Sequence, residues 1–145
     1  MKLGVAFLDT DQWIEGVQGC SISTIFSTQG EEAFRDMETD CLQYLLKEKT
    51  GGVISVGGGL PLREENRKLL KRLGRVIYLK AKPDTIYERI KMDTTRPLLQ
   101  TANPRERIQE MLQLRESAYL AAADVVIEAD RKTLEEIAAQ IIDII

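Results

Sequence analysis

Short apolar runs alternate with longer stretches of helical periodicity along this chain. The first run, Val5–Leu8, reads as a strand that ends in acid, VAFLDTD. A polar, helix-prone stretch follows, and Ser21 and Ser23 are possible N-caps for SISTIF. Gly30 then opens EEAFRDMETDCLQYLLKEK, in which Phe34, Met37, Cys41, Leu42 and Leu45 fall on one helical face. Gly51 and Gly52 stop that helix. Val53–Val56 is apolar on both faces, the pattern of a strand buried in a parallel sheet. Glycines 57 to 59 turn the chain, and Leu62–Leu73 predicts a helix ended by Gly74. Val76–Leu79 is a third strand, and Pro83 suits the first position of the helix DTIYERIKM. DTTRPLLQTAN has no periodicity and predicts a mobile flap between two helices. Asn103 and Pro104 open a long helix whose apolar side carries Ile108, Met111 and Leu112, and Val125–Ile127 is a fourth strand. Thr133 and Glu136 form a capping box for a last helix ending in IIDII.

Strands that alternate with helices predict an α/β fold with a parallel sheet. The 145 residues fit a single domain, 1–145. In such sheets ligands sit beyond the carboxyl ends of the strands. Two of those ends carry chemistry: Asp9–Asp11 after the first strand and Gly57–Gly59 after the second.

Composition narrows that chemistry. The net charge of −3 supplies no basic field for nucleic acid or an anionic membrane surface, so an anionic ligand needs a local cluster of arginines. There is no histidine, which excludes histidine bases, histidine-activated nucleophiles and histidine metal ligands. Cys20 and Cys41 are too far apart for a CxxC motif and read as small core residues in a reducing cytoplasm. No segment approaches membrane-spanning length.

The glycine turn, VISVGGGLPL, is not a nucleotide loop. A Walker loop needs Lys and Ser or Thr after its last glycine, whereas Gly59 is followed by Leu60, Pro61 and Leu62. On geometry alone, three glycines make a tight turn or let the backbone approach a ligand closely.

Five motifs stand in order from Leu3 to the C-terminus: DTD, GEEAFRDME, SVGGGLPL, RPLL, and LRESAY before AADVVIEAD. Together they resemble the shikimate kinase family. The resemblance implies a three-layer αβα P-loop kinase fold, related to the nucleoside monophosphate kinases. It also implies ATP- and Mg²⁺-dependent phosphorylation of the 3-hydroxyl of shikimate, in aromatic amino acid biosynthesis, by a cytoplasmic monomer. By that resemblance Asp11 binds the shikimate hydroxyls and orients or deprotonates the attacking one. Arg35 and Arg115 grip the substrate carboxylate, which a planar guanidinium does in bidentate fashion. Gly57, Gly58 and Gly59 match the substrate-binding turn, Gly58 most closely at the binding position, so the glycine stretch holds the acceptor. Arg96, in a lid over about 93–103, closes on ATP and stabilises the transferring phosphoryl group. Asp9 matches a residue near the Mg²⁺ shell. Trp13 reads as packing beside the site, and no nucleic-acid or membrane partner is expected.

The chain departs from the family at its start. Members carry a strand, a GxxxxGK[ST] loop and most of a helix before DTD, about 25 to 30 residues in all. No GK[ST] occurs in this sequence. The missing strand is central in the family, between the second and third strands here. An open slot would leave two rows of buried backbone groups unpaired, so either those strands close up and pair directly or the protein is longer. The expectation is that the cellular protein extends N-terminal to Met1, and an intact mass of 16.4 kDa would rule that out. Two other readings remain open. One is a kinase of another carboxylated polyol such as gluconate; the other is a non-catalytic remnant that binds shikimate or a protein partner without turnover.

Overall fold

The computed structural model describes residues 7–48, 51–90 and 103–144. It divides into two compact units, Met1–Arg75 and Val76–Ile145.

In the first unit, strand β1 (Phe7–Asp9) runs directly into helix α1 (Thr10–Gln18), followed by α2 (Ile22–Gln29) and α3 (Glu31–Glu48). Ser21 caps α2 as expected, its hydroxyl accepting from the Thr24 N–H at 3.2 Å. Strand β2 (Val53–Ser55) pairs in parallel with β1, with Asp9 opposite Ser55. Val53 and Ile54 are half-buried and Ser55 is exposed, so β2 is less covered than its apolar pattern implies; among the described residues it pairs along one edge only. After the glycine turn the chain makes a 3-10 turn over Leu60–Leu62 before helix α4 (Glu64–Leu73). The helix expected from Leu62 thus starts two residues late. Pro61 sits in the first turn of the 3-10 segment, and Arg63 leaves it in an extended conformation (φ −82°, ψ 130°).

The core of this unit forms where α1, α2 and α3 meet. Ile14, Ile25 and Phe34 are buried together, with Trp13, Cys20, Ile22, Phe26 and Met37 packed around them. Phe26 and Phe34 stack at 5.0 Å between centroids, and Trp13 lies 5.3 Å from Tyr44. Cys41, Leu42 and Leu45 continue the buried stripe of α3.

The second unit holds β3 (Ile77–Lys80), α5 (Pro83–Ile90), α6 (Pro104–Ala122), β4 (Val125–Glu128) and α7 (Leu134–Ile144). Strands β3 and β4 pair in parallel, Ile77 opposite Val125. The described strands therefore form two parallel pairs, one in each unit. Ile108, Ala122, Ile127, Ala129 and Ile137 are buried. Asp130 ties the end of β4 to the start of α5, accepting from Thr85 Oγ1 at 2.7 Å and the Lys82 N–H at 3.0 Å. Both bonds favour its anion, the Thr85 hydroxyl most, and hold its carboxyl below the usual range. The capping box forms as read: Glu136 N–H donates to Thr133 Oγ1 at 3.1 Å, and Thr133 N–H to Glu136 Oε1 at 3.4 Å. The expected lid, 93–103, lies outside the described residues except for Asn103, which precedes α6. No described helix is long and apolar enough to cross a membrane.

Candidate active site

The parallel pairing of β1 and β2 sets their carboxyl ends side by side. Residues 9–11 therefore meet the glycine turn. Asp9 is the N-cap of α1: its Oδ1 accepts from the Asp11 N–H at 2.9 Å and the Gln12 N–H at 3.1 Å. Thr10 is fully buried, and its hydroxyl oxygen accepts the Gly57 N–H at 3.2 Å. The turn is thus tied directly to the end of β1.

Asp11, one residue on, presents its carboxylate to Gly57. A Cβ on Gly57 would lie 2.9 Å from Asp11 Oδ1 and 3.2 Å from Glu38 Oε2. Both oxygens are buried. Glycine is required at 57 because two carboxylates close on it. The same crowding argues against phosphates in this turn, since two buried anions are the wrong charge for them.

Arg35 comes from α3 and lies across the turn. Its side chain is only 12% exposed; Nη1 donates to Glu38 Oε1 at 2.7 Å, and Nη2 pairs with Glu31 at 3.3 Å. Its Cζ stands 5.3 Å from the Phe34 ring centroid. Glu38 is completely buried. The cluster thus sets one guanidinium among carboxylates, and the field reaches Cys41. Burial first, then the charges of Glu38, Asp11 and Asp9, push its thiol up to about 12.

Chemically, the guanidinium can bind a carboxylate, and Asp11 can accept hydrogen bonds from hydroxyl groups. Asp11, Arg35 and Gly57 are brought together in the first unit. Gly58 is the exposed residue of the same turn. Arg115 lies half-buried on α6 of the second unit. Arg96 lies outside the described residues. Reading the sequence missed Thr10 and Glu38. Glu38 left a signal: it interrupts the apolar stripe between Phe34 and Cys41, where a solvated acid does not belong.

The whole chain, residues 1–145, matches the family model for shikimate kinase. A shikimate kinase of Thermodesulfovibrio yellowstonii is 47% identical over 97% of this chain and 80% of its own length. One from Thioalkalivibrio sulfidiphilus is 40% identical over 96% of this chain and 73% of that protein. The chain belongs to the shikimate kinase family. Among solved structures, shikimate kinase from Acinetobacter baumannii in complex with shikimate matches with a TM-score of 0.91 and 34% identity, covering 99% of this chain and 79% of that one. Shikimate kinase from Bacteroides thetaiotaomicron matches with a TM-score of 0.85 and 28% identity, over 99% and 83% of the two chains. The parallel strand pairs and their helices are therefore parts of the α/β P-loop kinase fold of shikimate kinases.

The described residues contain no group of three or more His, Cys, Asp or Glu side chains placed to hold a metal. Asp9 Oδ1 is engaged in its helix cap. The 145 residues also lack a GxxxxGK[ST] loop. A triphosphate and its cation do not fit the donors of this site, which suit an acceptor molecule instead.

Proposed function

We propose that Asp11, Arg35 and the glycine turn form the acceptor site of an ATP-dependent shikimate kinase, which phosphorylates the 3-hydroxyl of shikimate in aromatic amino acid biosynthesis. The observation that carries this reading is the Arg35 guanidinium, held by buried Glu38 beside Asp11 at a turn with no room for a side chain at Gly57 or Gly59. A ring bearing one carboxylate and several hydroxyls matches that donor set: anion to guanidinium, hydroxyls to carboxylate.

Arg35 anchors the substrate carboxylate, and the Gly57–Gly58 backbone approaches the ring. Asp11 accepts the hydrogen bond of the attacking hydroxyl, orients it and takes its proton as the oxygen bonds to phosphorus. ATP supplies the phosphoryl group, and ADP and shikimate 3-phosphate leave. Catalysis of this kind rests on positioning and charge neutralisation. By the motifs they match, Arg115 is a second carboxylate ligand and Arg96 a lid residue for the transferring phosphoryl group. Mg²⁺ would come with the nucleotide phosphates, as is usual for this ion, and Asp9 matches by its motif a residue near that ion's shell. The enzyme is read as a cytoplasmic monomer.

Titration calorimetry of the 145-residue chain with shikimate tests the reading. Saturable binding is expected, and Arg35→Met should weaken it at least about tenfold, the scale of a lost charged hydrogen bond. Gluconate should bind more weakly. Absence of shikimate binding at millimolar concentration, or a preference for gluconate, would overturn the assignment.

A further inference from the structure

The Arg35 guanidinium is seated against Gly59. A Cβ built on Gly59 would overlap Arg35 Nη1, Nη2 and Cζ. The backbone of Gly59 is ordinary, at φ −92° and ψ −11°, so any residue could adopt it. What a larger residue lacks there is space. Arg35 cannot simply swing aside, since its Nη1 is bonded at 2.7 Å to a carboxylate that is wholly buried. The seat therefore tolerates little change in the height of the turn above α3.

A buried bridge sets that height. Asn66 is fully buried at the start of α4. Its Nδ2 donates to the Leu60 carbonyl at 2.9 Å, one residue beyond Gly59. Its Oδ1 accepts from Thr39 Oγ1 at 2.7 Å. Thr39 is one turn along α3 from Arg35, and its hydroxyl also lies 3.3 Å from the Arg35 carbonyl. The turn is held from the other side by the Gly57–Thr10 bond. The Thr39–Asn66–Leu60 bridge thus spans between the helix that carries the guanidinium and the turn that seats it.

We propose that Asn66 is a positioning residue of the acceptor site, fixing the glycine turn over α3 so that the Arg35 guanidinium rests against the bare Cα of Gly59. An amide suits this place because it donates on one side and accepts on the other, and buried groups left unmatched are costly. That this positioning serves acceptor binding rests on the function proposed above; the seating itself does not.

The test uses two variants and two readouts on the full chain. Modification of Arg35 by phenylglyoxal, mapped by mass spectrometry, reports whether the guanidinium is seated, with no substrate present. Shikimate titration reports the consequence. In Asn66→Leu, which keeps the bulk and loses both bonds, Arg35 should be modified severalfold faster than in the parent. Shikimate affinity should fall about tenfold. Gly59→Ala should produce both effects with the bridge intact, and its backbone permits the fold if Asn66→Leu does not. Unchanged Arg35 reactivity in a folded Asn66→Leu chain overturns the proposal; should that variant not fold, unchanged reactivity in Gly59→Ala does so. Faster modification together with no shikimate binding by the parent chain would instead leave the positioning intact and remove the acceptor assignment.

Discussion

At the residue scale, the site turns on a buried anion. Glu38 is wholly buried, and its strong partner is a guanidinium that is itself mostly buried. Breaking such a pair by removing one charge leaves the other uncompensated. Glu38→Gln keeps an oxygen to accept from Arg35 but removes the charge. Urea unfolding should show a loss of about 1–3 kcal/mol, the cost of an imperfectly satisfied buried polar group. Shikimate affinity should fall as well, because Arg35 would then be drawn toward exposed Glu31, its remaining partner at 3.3 Å. Unaltered stability and affinity would show that Glu38 does not hold the guanidinium. This residue also marks a limit of reading sequence. Asp11 and Arg35 stand out only through the motifs DTD and AFRDME that carry the family resemblance; by residue type alone they read as a strand-terminal acid and a guanidinium on a solvated helix face. Glu38, three residues beyond Arg35, reads as one more acid on a charged helix until the surrounding stripe, Phe34 to Cys41, is seen to be buried.

At the element scale, periodicity and punctuation carried far. Gly30, at φ 89°, and Pro83 bound helices where their backbone preferences place them, and α4 ends at Gly74 as read. The late start of α4 was not legible, since LPLREENRKLL keeps its apolar spacing while Pro61 bends the backbone locally. Strand pairing was not legible either: short apolar runs state that strands exist, not which edges meet. The helix caps can be tested one by one. In α7, Thr133 and Glu136 each satisfy an N–H that the helix cannot. Thr133→Ala should weaken the first turn by about 0.5–2 kcal/mol. Hydrogen exchange at the Leu134–Glu136 amides should accelerate accordingly, about two- to thirtyfold. Exchange rates equal to the parent's would mean that the box adds nothing to α7.

At the scale of the whole molecule, the burial of Cys41, reinforced by the carboxylates of the site, should make the first unit sensitive to alkali. Burial, with Glu38, Asp11 and Asp9 behind it, raises this thiol from 9.0 to about 12. The folded chain therefore keeps the proton above pH 9, where the unfolded chain has released it. Stability from this residue is fully present below pH 9 and declines as pH rises toward 12. Between those limits the slope approaches about 1.4 kcal/mol per pH unit. Trp13, the single tryptophan, packs on the core of the same unit and reports its unfolding. Urea titrations followed by its fluorescence from pH 8 to 10.5 should show that decline in the parent. Cys41→Ala will be less stable at pH 8, having lost buried volume, yet its stability should depend less on pH above 9. Half-buried Cys20 should react with a thiol reagent in the folded chain while buried Cys41 does not. Equal alkaline slopes in parent and variant would mean that neither burial nor the neighbouring carboxylates hold the Cys41 thiol up in the folded chain.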